Sequence, residues 1–182
     1  MTLLRRIEDV QNHNSTSAPA VAYHGPERRG VKGHPVSIYT ADQVVRADLR
    51  VPEEIRLSHW LSNVNMSIFG SVMIDGVWRE TLFNRAFIEA IVDEVPPRRD
   101  VSMIVSRTRL LVRVVFGSNL TVTGFLHVLD PNEWACSLNL EDLSFRAITD
   151  ATIAAGGQPL RSGADALVNT HLATRIEILP TP

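Results

Sequence analysis

The stretch from Val112 to Ile153, VRVVFGSNLTVTGFLHVLDPNEWACSLNLEDLSFRAITDATI, decides the fold. Val114, Phe116, Leu120, Val122, Leu126 and Val128 alternate with more polar neighbours. That is the period of strands with one face buried. Gly117-Ser118-Asn119 supplies a tight turn between the two runs.

Working outward, the pattern occurs a second time. Val45 to Val51 (VRADLRV) and Val122 to Val128 (VTGFLHV) share their apolar positions at a separation of 77 residues. The same separation pairs Tyr39 with Phe116 and Leu61 with Leu138. Phe69 to Asp75 (FGSVMID) resembles Phe145 to Asp150 (FRAITD). Leu82-Phe83-Asn84-Arg85 resembles Leu167-Val168-Asn169-Thr170, and Ile91 falls opposite Ile176, both at a separation of 85. The growth in separation predicts an insertion in the second copy. The aperiodic Gly- and Pro-bearing stretch from Ala154 to Gly163 is its expected place, as a loop.

The expected fold is therefore mainly β, with two repeated small SH3/Sm-like β-barrel units. A short N-terminal helix and a flexible tether precede them. Residues 1–35 form the helix and tether, 36–97 the first repeat and 98–182 the second. Leu3, Leu4, Ile7 and Val10 share one helical face, whereas His13 to Pro35 lacks periodicity. Within the first copy, strands are expected at Val36–Thr40, Gln43–Val51, Ser67–Ile74 and Val77–Phe83, with a short helix at Arg56–Asn63. Asp75-Gly76 is a hairpin turn. Ala86–Val95 fits helix or strand, and its match to Leu172–Leu179 favours strand.

Composition narrows the function. The chain has 182 residues, 45% of them hydrophobic, and a net charge of −2, so no basic field points to nucleic acid or an acidic membrane. Each repeat is small for independent folding, so the copies are expected to pack on each other or on a second chain. Cys136 is the single cysteine, which leaves no internal disulfide and no cysteine-based zinc site; it reads as a small buried hydrophobe. The N-terminus lacks the apolar core of a signal peptide and no run reaches the length of a membrane span, so a cytoplasmic location is expected.

Catalytic signatures are missing. There is no Gly-x-Ser-x-Gly elbow, no phosphate-binding Gly-rich loop and no His-x-x-x-His pair. The acidic pairs Glu53-Glu54, Asp93-Glu94 and Glu141-Asp142 read as solvated charge, and His127 as exposed. No catalytic residue, metal ligand or cofactor is assigned, and the chain is expected not to be an enzyme. Trp60 and Trp134 read as core. Trp78, beside the Asp75-Gly76 turn, reads as an exposed interface anchor for a protein partner or a second copy.

Three family resemblances bear on this. Gly124-Phe125-Leu126 followed by Asp130 resembles the first motif of Sm-like small barrels, and Leu82–Ile91 and Leu167–Ile176 look like their closing strands. Trp134 stands where those proteins carry an RNA-binding Asn, and the closing Arg-Gly is replaced by Asn84-Arg85 and Asn169-Thr170. The resemblance thus implies the barrel more than the RNA pocket. Small bacterial β domains of unknown function share Arg56-Leu57-Ser58, Leu61, Asn63, Phe69 and Asp75. The alternative resemblance is to PilZ domains, which bind cyclic di-GMP. It rests on Glu27-Arg28-Arg29 and on Asn65-x-Ser67-x-x-Gly70, and it implies ligand contacts by Arg28, Arg29, Asn65, Ser67 and Gly70. Arginine forks suit phosphate. Lys32 and Gly33 stand where the second arginine of that motif would be.

Overall fold

The computed structural model describes residues 31–53, 55–63, 67–95, 108–130, 132, 134–135 and 144–180. Among these, the chain forms ten strands: β1 (Val31–Thr40), β2 (Val44–Pro52), β3 (Ser67–Ile74), β4 (Val77–Asn84), β5 (Ile88–Asp93), β6 (Thr108–Phe116), β7 (Leu120–Val128), β8 (Phe145–Ala155), β9 (Gln158–Asn169) and β10 (Ala173–Ile178). One short helix, α1 (Leu57–Asn63), precedes β3. It buries Leu57 and Leu61, one turn apart on one face. A 3-10 turn, Arg85–Phe87, leads into β5. No described helix is long and apolar enough to cross a membrane.

All ten strands lie in a single open antiparallel sheet, in the order β10-β6-β7-β8-β9-β5-β1-β2-β3-β4. The first five strands are ordered 5-1-2-3-4, and the last five, counted the same way, have the same order. The ladders match in detail. Ile38 pairs with Ile91 on β5, as Val114 pairs with Ile176 on β10. Ser67 pairs with Asn84, as Phe145 pairs with Asn169. Along β2 and β7, Ala47, Leu49 and Val51 are buried, and so are Gly124, Leu126 and Val128, 77 residues on. β7 buries every second residue, as the alternation in its sequence requires.

The halves meet at β5 and β9, where Ala90, Ile91 and Val92 pair with Val168, Leu167 and Ala166. Ala90 and Val92 pack in one core with Val112, Val122, Ile148 and Val168, whereas Ile91 packs in the other with Ile38, Leu49, Leu61 and Leu167. Successive residues of a strand point to opposite faces. The two cores therefore lie on opposite faces of the sheet where the halves join. β5 is buried along most of its length for this reason, and its sequence, IEAIVD, does not alternate apolar with polar residues, since Ala90, Ile91 and Val92 are consecutive. That explains why it also fits a helix.

Several expectations need correction. β1 begins at Val31, so Val31–Pro35 is strand rather than tether; the N-terminal helix and the rest of the tether lie outside the described residues. The stretch expected to be an inserted loop, Ala154 to Gly163, is not one. It lengthens the β8–β9 hairpin, whose tip Gly156-Gly157 has φ of 56° and 81°, the left-handed backbone that a tight hairpin turn needs. Residues on either side pair as strand, Ala155 with Gln158 and Ile153 with Arg161. The ladders also set Ser67, not Phe69, at the position of Phe145, and place Val115 opposite Tyr39 in the repeat, one residue from Phe116. Leu138 and Cys136 lie outside the described residues.

Candidate functional site

Among the described residues, backbone hydrogen-bonding capacity is left open at the two terminal strands of the sheet, β4 and β10. β4 pairs with β3 through the Asp75-Gly76 turn, where both residues have positive φ. Apolar side chains are exposed on β4 and beside it. Leu82 is 65% exposed and Val77 is exposed, as are Phe87 in the following 3-10 turn and Met73 and Ile74 on the adjoining end of β3. β10 carries exposed Ile178 and half-buried Ile176, which packs against the second core.

Charge is interleaved with these residues, as is common on edges that must not pair indiscriminately. On β4, Glu80 pairs with Arg50, whose guanidinium carbon lies 4.8 Å from the centre of the Phe69 ring. On β10, Arg175 and Glu177 are 2.8 Å apart, and Arg113 stands 3.7 Å from Glu177.

The buried β5–β9 junction shows what such edges become when covered. By strand order, β4 corresponds to β9 and β10 to β5. Leu82 corresponds to Leu167, which is only 9% exposed against Ile91 in the junction. The two leucines differ little in chemistry and much in what lies beside them.

A polar clamp closes the junction. Glu94, just beyond β5, accepts hydrogen bonds from both terminal nitrogens of Arg161 on β9, at 2.5 and 2.9 Å, and from Ser37 Oγ at 2.6 Å. The Arg161 bonds hold the Glu94 carboxyl below its ordinary range, against the opposing effect of burial, with Ser37 adding to the lowering. Nearby Tyr39 is pushed up by burial, an effect Arg161 partly offsets. His34 meets Asp93 at 2.9 Å, and burial raises the Asp48 carboxyl despite His34 and Arg50. Asp93 and Glu94 are thus engaged rather than merely solvated. Their partners are strand neighbours distant in sequence, so no local pattern marks them. Glu89 is a further buried acid, bonded at 2.7 Å by Ser118 from the β6–β7 turn and raised by burial. Among the described residues, no group of three or more His, Cys, Asp or Glu side chains could hold a metal ion.

The sequence-expected site residues divide as follows. Ser67, Gly70 and Trp78 share the β3–β4 hairpin. Ser67 is exposed, while Trp78 is half-buried opposite Met73 rather than fully exposed. Gly70 is buried, and a Cβ there would lie 2.9 Å from the Asp48 carbonyl oxygen and 3.0 Å from Leu49 Cδ2. Close strand packing therefore accounts for that glycine. Arg28, Arg29 and Asn65 lie outside the described residues. Trp60 and Trp134 pack beside the two cores. His127 is half-buried, its Nε2 2.9 Å from Thr149 Oγ1, because β8 covers that side of β7. Comparison with family models, curated proteins and solved structures finds no match for this chain.

Proposed function

We propose that this protein is a noncatalytic binding and assembly module made of two repeated small β units of SH3/Sm-like kind, with β4 and β10 as its working edges. One observation carries the reading. The β5–β9 junction inside the chain joins the same two positions that β10 and β4 leave free among the described residues. A second copy could supply what each edge lacks, by repeating that junction between chains. Continued from the internal register, Ile176 would face Leu82, Glu177 would face Thr81 and Arg175 would face Phe83. Glu177 then lies diagonal to Arg79 and Arg175 lies on an aromatic face, so the charges on the edges match rather than clash. Such head-to-tail contact makes rings or open filaments, according to whether the rotation closes.

Sedimentation velocity over a range of concentrations tests this. The unmodified protein is expected to associate, and Leu82→Lys to remain monomeric with an unchanged melting temperature, because Leu82 is exposed. A wild type that stays monomeric at all concentrations, or a Leu82→Lys protein that associates equally well, overturns self-assembly at these edges. Cyclic di-GMP binding that depends on Arg28 and Arg29 would favour the PilZ-type reading instead.

A further inference from the structure

Among the described residues, Arg146 is a cation without a counterpart. It lies on β8 directly opposite Val168, and two residues before Ile148. Both neighbours are buried in the second core, so the ladder directs the Arg146 side chain toward that core. In the first half the same ladder position is Ile68, opposite Phe83, and it is fully buried. One half thus fills this place with a hydrocarbon and the other with a guanidinium.

Two of the guanidinium nitrogens, Nε and Nη2, are buried and have no hydrogen-bond partner. No carboxylate among the described residues pairs with Arg146. A buried donor without an acceptor is costly, and native structures rarely keep one without a reason. The pair left open is informative. Nε–H and Nη2–H leave the same edge of the guanidinium plane, spaced to grip two oxygens of one oxyanion side-on. Burial lowers the pKa of Arg146.

We propose that Arg146 anchors an oxyanion site at the end of the second core, taking a small carboxylate or phosphate through its Nε/Nη2 edge. The bound anion satisfies both buried donors and neutralises the charge. This site is separate from the sheet edges, and Leu82→Lys leaves it intact.

Thermal melts in sodium phosphate, sodium acetate and sodium chloride at matched ionic strength test the proposal. For the wild type, the oxyanion that binds should raise the melting temperature by about 3–6 °C at ten times its dissociation constant, while chloride does not. Arg146→Ile, which copies the first half, should melt higher than wild type in chloride and lose the response. Arg146→Met, unbranched and closer in shape, serves the same purpose if the isoleucine variant does not fold. An unresponsive wild type, or a variant that keeps the full response, overturns the site.

Discussion

Replacing Arg161 by methionine should loosen the joint between the halves while leaving both cores filled. The guanidinium makes two bonds to Glu94, at 2.5 and 2.9 Å. A charge-assisted bond of this kind contributes roughly 1.5–3 kcal/mol when well buried. These side chains keep 33% and 30% of their surface exposed, so solvent screening reduces the pair toward the value of a surface bridge. Glu94 also keeps its bond from Ser37 in the variant. The expected loss is about 1–2 kcal/mol in all, between those two limits. In urea that lowers the unfolding midpoint by about 0.5–1 M at pH 7. Acid should close the gap. Glu94 titrates below the ordinary glutamate value of 4.5, because Arg161 favours its charged form. Its contribution is complete above 4.5 and disappears as the pH falls through the lowered folded value. Wild type and variant should therefore converge on acidification below that point. Equal midpoints at pH 7, or a gap that persists undiminished in acid, would refute the clamp.

Two further substitutions probe the packing. Gly124→Ala should destabilise by about 1–3 kcal/mol or more in chemical denaturation, as overpacked sites do. The added Cβ would sit 2.7 Å from both Ile148 Cγ2 and the Thr149 carbonyl oxygen, at a bulge of β8 where Asp150 has φ of 51°. Leu49→Ala should cost about 2–5 kcal/mol and Leu82→Ala less than about 0.5 kcal/mol, measured on dilute protein, since one leucine is fully buried and the other exposed. A large loss at Leu82 under those conditions would mean that the edge is already covered within one chain.

Much of the fold is legible in the sequence because its strands keep period-two patterns. Ser67–Ile74 is placed to the residue, and the β6–β7 pair follows from alternation alone. Leu49 and Leu126, and Ile91 and Ile176, hold matching positions in the ladders. The errors have physical causes. Val31–Pro35 contains Gly33 and Pro35, which suggest a tether, yet pairing with β2 holds these residues as strand. The inserted residues look like a loop because Gly156, Gly157 and Pro159 dominate them, but only the two glycines turn. The proposed working surface is legible in part: Trp78 draws attention to the β3–β4 hairpin, while Leu82 resembles a core leucine and nothing nearby marks it as an edge. The clamp of Glu94 with Arg161 and the solitary state of Arg146 depend on strands far apart in the chain. Such partnerships leave no local trace.

The central claim is that β4 of one chain meets β10 of another as β9 meets β5 within the chain. Cysteine cross-linking tests it most directly. Leu82→Cys and Ile176→Cys are made in separate chains, each with Cys136→Ser to remove the native thiol. The two proteins are mixed and oxidised gently. Facing residues in an antiparallel pair stand about 4.5–5.5 Å apart at Cα, within reach of a disulfide. The account predicts a mixed dimer joining position 82 to position 176, formed in preference to either self-dimer. Failure to form that dimer, or equal yields of 82–82 and 176–176 products, would contradict it.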